Sequence, residues 1–341
     1  MKKIFSSFII LLLLYSCSTD FDVNADWKDI SIVYSLLNQN DTVNYVKVNK
    51  AFLGNQDAYD MASQSDSTRY NSDLSVTLER WKMDENFASQ IIYLEKTTDI
   101  IKDSLNIYGN TGTFATENNI IYKTTEQLYG DSKYKLVVKI PKKEELVTSS
   151  TELISNFNPT VQQRFISFEN YDNKLFVEWN SAVNGRLYRL KIRFHYLEIE
   201  NNDTTEKAID WIFPSQISKN LRGVNDVADK MTQSFRGESF FEFVAHNIDE
   251  NINVMRVAQN IDFVFEVGGE ELSTYIQISK PSNSISESKP EYTNINNGIG
   301  IFSCRYNKTI TDKKLSPQAI DSLAYGSYTH RLNFLNHSGG F

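Results

Sequence analysis

The chain has almost no cysteine: of its 341 residues only Cys17 and Cys304 are cysteines. With Cys17 at a processing site, no intramolecular disulfide is possible even in an oxidising compartment, and stability has to come from burial. Proline and glycine are also scarce, at six and fourteen residues, which argues against a low-complexity or disordered chain. The four histidines, His195, His246, His330 and His337, are scattered. No two of them stand at i,i+4 beside a carboxylate, the spacing zinc hydrolysis needs. There is no G-x-S-x-G elbow and no EF-hand loop, and Asp249-Glu250-Asn251 reads as a solvated turn. Nor is any apolar run as long as the roughly 20 residues that cross a membrane.

Hydrophobic residues make up 40% of the chain and aromatic residues 13%. That is enough for sizeable cores, and the length fits two domains or one with large insertions. The net charge of −8 argues against nucleic acid as a partner and against charge-driven binding to anionic membranes.

The N-terminus opens with Lys2 and Lys3, continues through an apolar core from Phe8 to Leu14, and closes on Leu14-Tyr15-Ser16-Cys17. This is a signal-peptide plan over residues 1–16. Its ending resembles the lipobox of bacterial lipoproteins. The resemblance implies a diacylglycerol on the Cys17 thiol, cleavage before Cys17 and acylation of the new amine. One acyl chain at ~0.8 kcal/mol per buried CH2 binds a membrane marginally, whereas several hold it stably. A plain secretory signal with a coincidental cysteine is the alternative. Loss of Lys2 and Lys3 would take the charge from −8 to −10. Residues 17–25 form an acidic linker. Within it, Ser18-Thr19-Asp20-Phe21-Asp22 resembles the export tags of surface lipoproteins of Bacteroidota and reads equally as a solvated spacer.

The expected fold is mainly β: two β-sandwich domains of immunoglobulin or fibronectin type, with a few helices inserted in and after the second. The first sandwich spans 26–141. Ile30–Leu36 and Val43–Lys50 form a hairpin, and Gly54–Asp73 is a long loop or short helix. Leu74–Trp81 puts Leu74, Val76 and Leu78 on one face, and Ile91–Leu94 and Tyr134–Ile140 are further strands. Pro141–Glu145 reads as the boundary.

The second sandwich spans 155–341. Lys174–Asn180 and Tyr188–Tyr196 read as a hairpin through Asn184-Gly185. An apolar strand ending in Trp179 before one led by Tyr188 resembles the middle of fibronectin-type sandwiches. Helices are expected at Leu221–Phe235, with Val224, Val227, Ala228 and Met231 at helical spacing, and at Phe240–Ile252. Strands resume at Ile261–Val267 and, after a turn at Gly268-Gly269, at Leu272–Ile278. Ser316 fits an N-cap, Pro317 the first helical position and Gly326 the stop of a last helix. A final strand is expected at His330–Leu335.

The run Glu291–Phe302, with Tyr34–Phe52 and Val264–Tyr275, is similar to a family of uncharacterised outer-membrane lipoproteins of Bacteroidota. Members of this domain-of-unknown-function type carry an Asn-Ile-x-x-Gly-x-Gly-x-Phe element. The resemblance implies a membrane-anchored sandwich associated with nutrient-uptake systems and no established activity. Physically, the two glycines let the backbone turn or approach another strand before Ile301 and Phe302 re-enter a core.

Three functions stay open. The first is a non-enzymatic binding or accessory module of an outer-membrane uptake complex, held on the membrane through its N-terminal lipid and partnered by a transporter. The second is a glycan-binding or adhesion lipoprotein. The third is a hydrolase, whose acid pair about 5 to 9.5 Å apart would leave no sequence signature. No cofactor is expected. Trp27, Trp81 and Trp211 lack clear alternation partners and are candidate ligand platforms as well as candidate core. His195 reads as a surface strand residue and Cys304 as a small buried one. Asp41-Thr42-Val43, Asp103-Ser104-Leu105, Asp203-Thr204-Thr205 and Asp321-Ser322-Leu323 resemble O-glycosylation sites of exported Bacteroidota proteins.

Overall fold

The computed structural model describes residues 30–51, 57–82, 85–102, 112–117, 119–161, 164–172, 174–201, 203–279 and 291–339. Cys17, Trp27 and the triplet at Asp103 lie outside them.

Strands β1 (Ser31–Leu37) and β2 (Asn44–Lys50) form the expected hairpin, with Val33 opposite Val48 and Tyr34 opposite Lys47. The polar stretch behind it carries two short helices, α1 (Ala58–Ser63) and α2 (Ser65–Thr68). In β3 (Ser75–Lys82) alternation buries Val76 and Leu78. Next come β4 (Gln90–Tyr93), β5 (Glu95–Thr97), β6 (Ile121–Thr124), β7 (Ser132–Lys139) and β8 (Val147–Glu152). β7 and β8 pair antiparallel. Pro141–Glu145, expected as a domain boundary, is therefore the turn of a hairpin, with Lys142 at a φ of 68°. Proline and charge mark tight turns as readily as linkers.

Strands β9 (Phe165–Ile166), β10 (Lys174–Asn180), β11 (Leu187–Glu200), β12 (Asp203–Ile212), β13 (Gln216–Ile217) and β14 (Lys230–Arg236) follow. Helix α3 (Gly237–Asn247) precedes β15 (Met255–Gly268), and helix α4 (Glu270–Ser279) precedes β16 (Gly298–Leu315). The chain ends in α5 (Pro317–Tyr325) and a single 3-10 turn, His330–Leu332. As expected, the Ser316 hydroxyl caps α5 by accepting from the Ala319 N–H at 3.1 Å.

The molecule is mainly β. A ten-stranded sheet runs in the order β12-β11-β15-β16-β1-β2-β6-β5, with β13 beside β11 and β9 beside β16. A four-stranded sheet, β4-β3-β7-β8, turns Val76, Leu78, Leu136 and Val138 into the same core as Val33, Val46 and Val48 of the large sheet. Strand β16 holds the large sheet together. Its residues 298–304 pair in parallel with β1, and its residues 305–314 pair antiparallel with β15. The N-terminal hairpin is thus completed by a strand more than two hundred residues away in sequence.

Gly298 and Gly300 allow this contact. A Cβ on Gly298 would lie 2.8 Å from the Ser31 carbonyl oxygen, and one on Gly300 would lie 2.0 Å from that of Val33. Just upstream, the Asn294 side chain serves both backbone groups of Phe302, donating to its carbonyl at 2.7 Å and accepting from its N–H at 3.0 Å.

Four further expectations are corrected. β10 and β11 do not form a hairpin, because β10 pairs with β14 while β11 lies between β12 and β15. Both strands are amphipathic, and their apolar faces stack across the core: Trp179 lies 5.3 Å from Phe265 and 6.2 Å from Tyr188 between ring centroids. Leu221–Phe235 is not a helix but a loop leading into β14. Val224 and Val227 are exposed there, and Asp226 accepts from the Gly223 N–H at 2.8 Å to make a turn. In β14, Met231 and Phe235 instead follow a strand period. Leu272–Ile278 is helical, because Glu270 and Glu271 favour a helix N-terminus directly after the Gly268-Gly269 turn. His330–Leu335 is not a strand. Beyond the 3-10 turn, Asn333 adopts a φ of 55°, and only a parallel bridge between Phe334 and Arg256 returns to the sheet.

Candidate functional site

Alternation along β1 and β2 sends Val33, Leu37, Val46 and Val48 inward. It sends Tyr34, Leu36, Tyr45 and Lys47 to the other face of the sheet, where a row runs from Ile301 of β16 through Tyr34 to Lys47. Over this row lies a groove of about 660 Å³, within the range of small-ligand sites. Helix α4, packed on β16, brings Leu272 and Tyr275 to it, while the segments before β6 contribute Ile100, Lys102 and Asn119. Tyr34 is 47% exposed and Leu36 38% exposed, so apolar and aromatic surface remains open to an occupant.

Lys47 is the central polar group. Its Nζ donates to Asn119 Oδ1 at 2.6 Å and to the Ile120 carbonyl at 2.8 Å. Burial, and then the charge of Lys102, lowers its pKa to about 8. Burial lowers the Lys102 pKa as well, and that ammonium donates to the Ala115 carbonyl at 3.0 Å. The Tyr34 phenol is pushed up by burial and by Tyr275 and Glu291. At the rim, Arg305 pairs with Asp41 at 2.7 Å and Arg69 pairs with Asp66.

Helix α4 is held over the groove by a second polar cluster. The half-buried Glu271 accepts from Ser303 Oγ at 3.0 Å and from Thr151 Oγ1 at 3.1 Å, tying α4 to β16 and β8. The Leu272 N–H also donates to Ser303 Oγ at 3.1 Å. Burial holds the Glu271 carboxyl above its ordinary value of 4.5. The folded chain therefore keeps this proton to higher pH than the unfolded chain does. The group's contribution to stability is full below the ordinary glutamate range and falls as the pH rises through it. Glu271→Gln should remove that slope. In urea unfolding between about pH 4 and about pH 8, the variant's stability relative to the native chain should rise with pH. A constant difference would refute the assignment. Beside this cluster Cys304 is fully buried, and burial and then Glu271 raise its thiol to about 12, as suits a small core residue.

Of the candidate tryptophans, the two among the described residues, Trp81 and Trp211, are not brought together. Trp211 stacks on Phe243 at 5.6 Å and packs on Phe213 and Phe235 at 4.6 and 5.1 Å, as part of an aromatic nest. Trp81 lies half-buried on β3, its indole N–H 3.3 Å from Glu79 Oε2. Neither lines the groove. His195 stands on β11 with its Nε2 2.9 Å from Asp262 Oδ2. Of the Asp-Ser/Thr triplets, the one at Asp203 sits exposed at the β11–β12 tip. Thr42 is exposed in the β1–β2 turn, and Ser322 lies within α5.

The groove residues escaped sequence reasoning, although β1 carries a trace of them. Ile32, Tyr34 and Leu36 make its second face apolar too, which a strand open to water on that side would not need. The chain matches no protein-family model and no curated protein sequence.

Proposed function

We propose that this is a lipid-anchored envelope protein that binds a ligand in the groove over β1 and β2, without chemistry, as the accessory module of an outer-membrane uptake complex. The groove carries this reading: about 660 Å³ of space whose floor is tyrosine and leucine and whose polar groups converge on it. The leader ending at Cys17 supports the anchor. No helix among the described residues is long and apolar enough to cross a membrane. A glycan-binding lipoprotein is the second reading, favoured by the exposed Tyr34 ring and the amide and hydroxyl groups around it.

A thermal-shift screen of the purified mature chain against oligosaccharide and peptide libraries tests the groove. A ligand should raise the melting temperature of the native chain, and Tyr34→Ala together with Leu36→Asp should abolish the shift while leaving the unliganded fold intact. Hits unaffected by those substitutions, or no hits in either library, would overturn the assignment of the groove. In the same study Cys17→Ala should leave the membrane fraction on a carbonate wash. Retention there would remove the lipid anchor from the proposal.

A further inference from the structure

The chain is acidic, with a net charge of −8, yet the groove is cationic. Lys47, Arg69, Lys102 and Arg305 line it against Asp41 and Glu117. The arginines are accounted for by Asp66 and Asp41. The lysines are not: Lys47 donates to Asn119 Oδ1 and the Ile120 carbonyl, and Lys102 to the Ala115 carbonyl, all neutral acceptors. Neither lysine forms an ion pair among the described residues, and the exposed Glu117 reaches neither of them. The partly buried ammonium of Lys47 and the exposed one of Lys102 line the same groove above an aromatic floor, and place positive potential where an anion would relieve it. An ammonium has three donors, and Lys47 uses two of them on protein oxygens, leaving one for an incoming oxygen.

The remaining surface selects the body of that anion. Tyr34 presents a ring at 47% exposure, and Asn49 and Thr68 offer amide and hydroxyl groups beside it. Rings with neutral hydrogen-bonding groups suit a hydroxylated ring face. A peptide added as a strand finds no edge here, because β1 is paired on both sides by β16 and β2, and β2 on both sides by β1 and β6.

We propose that the groove binds a carboxylated saccharide, its carboxylate held between Lys47 and Lys102 and a sugar ring lying on Tyr34. This rests on the reading of the groove as a binding site and adds the chemical class of the ligand.

Isothermal titration of the purified mature chain with tetragalacturonate, with its fully methyl-esterified form and with a tetraglutamate peptide tests it. The free acid should bind at least about tenfold more tightly than the ester, because the ester removes the charge-assisted hydrogen bonds. It should also bind more tightly than the peptide. Affinity for the acid should fall with added salt. Lys47→Met and Lys102→Met should each weaken the acid about tenfold and leave the ester nearly unchanged. Lys207→Met, at an exposed position on β12, should change neither. Circular dichroism confirms that each variant is folded, and Lys102→Met, on a more exposed side chain, carries the test if Lys47→Met is not.

Equal affinity for acid and ester, or lysine variants that bind like the native chain, would overturn the anion. A peptide that binds as tightly as the uronate would overturn the saccharide. Absence of uronate binding overturns the inference as a whole. The binding reading survives that result only if a Tyr34-dependent ligand emerges from the library screen, so the two failures remain distinguishable.

Discussion

Gly300→Ala should cost about 2–6 kcal/mol, a large share of the roughly 5–15 kcal/mol that holds a typical domain together. The residue sits at a φ of 114°, where an L side chain is strained. A methyl group there would also fall 2.0 Å from the Val33 carbonyl oxygen. That oxygen belongs to the backbone of the paired strand, and Gly300 and Val33 are register partners in the parallel β1–β16 ladder. Relief therefore means separating the two strands, which would also disturb the contact that joins the N-terminal hairpin to the rest of the large sheet. Gly339→Ala is the control. It shares a positive φ, 80°, but a Cβ there meets nothing within 4 Å, so its cost should stay near 1 kcal/mol. Urea unfolding of both variants decides the matter, and a Gly300→Ala midpoint at or above that of Gly339→Ala would refute the role given to β16.

Arg256→Ala should cost about 3–5 kcal/mol, because it would leave a buried network without its centre. The side chain is 3% exposed and is fully engaged. Its guanidinium donates to Glu198 Oε1 at 3.0 Å, to the Leu332 carbonyl at 2.7 Å and to the Asp249 carbonyl at 3.0 Å. These contacts fasten β11, the segment after α3 and the C-terminal turn to one residue of β15. Arg256→Lys should recover little, since an ammonium cannot reproduce a planar fork. Hydrogen exchange gives the local readout. The Leu335 N–H, bonded to the Arg256 carbonyl at 2.8 Å, should exchange faster in Arg256→Ala, by a larger factor than the amides of β3 and β7. Unchanged protection at Leu335 would mean that Phe334, buried against Phe194 and Tyr196, anchors the C-terminus by itself.

Strands whose two faces differ were legible. In β3 and β7 the buried Val76, Leu78, Leu136 and Val138 alternate with Thr77, Glu79, Lys135 and Lys139, Val137 being the exception, and that period is written in consecutive side chains. Helix α5 was legible for the same local reason, with Ser316, Pro317 and Gly326 in their places. Partner choice was not. An alternating strand states which face is apolar and nothing about what lies across from it. β10 and β11 thus read as a hairpin when their apolar faces meet across the core. Leu221–Phe235 shows the opposite failure: four apolar residues at helical spacing fold as a loop and a strand, because pairing with β10 outweighs a weak local preference.

Apart from the apolar second face of β1, the groove lies on the far side of this divide. Tyr34 and Tyr275, or Lys47 and Asn119, stand far apart along the chain and meet because β16 runs beside β1 and the segment before β6 folds back over β2. Alternation in the sequence by itself determined that these strands exist and which of their residues face the core. Only the tertiary structure decided that the second face of β1 and β2 lies under helix α4 and the segments before β6, in a groove lined by four basic and two acidic side chains. The physical reason is range: periodicity and capping act over a few residues, whereas a cavity is made by side chains whose separation along the chain leaves no pattern to read.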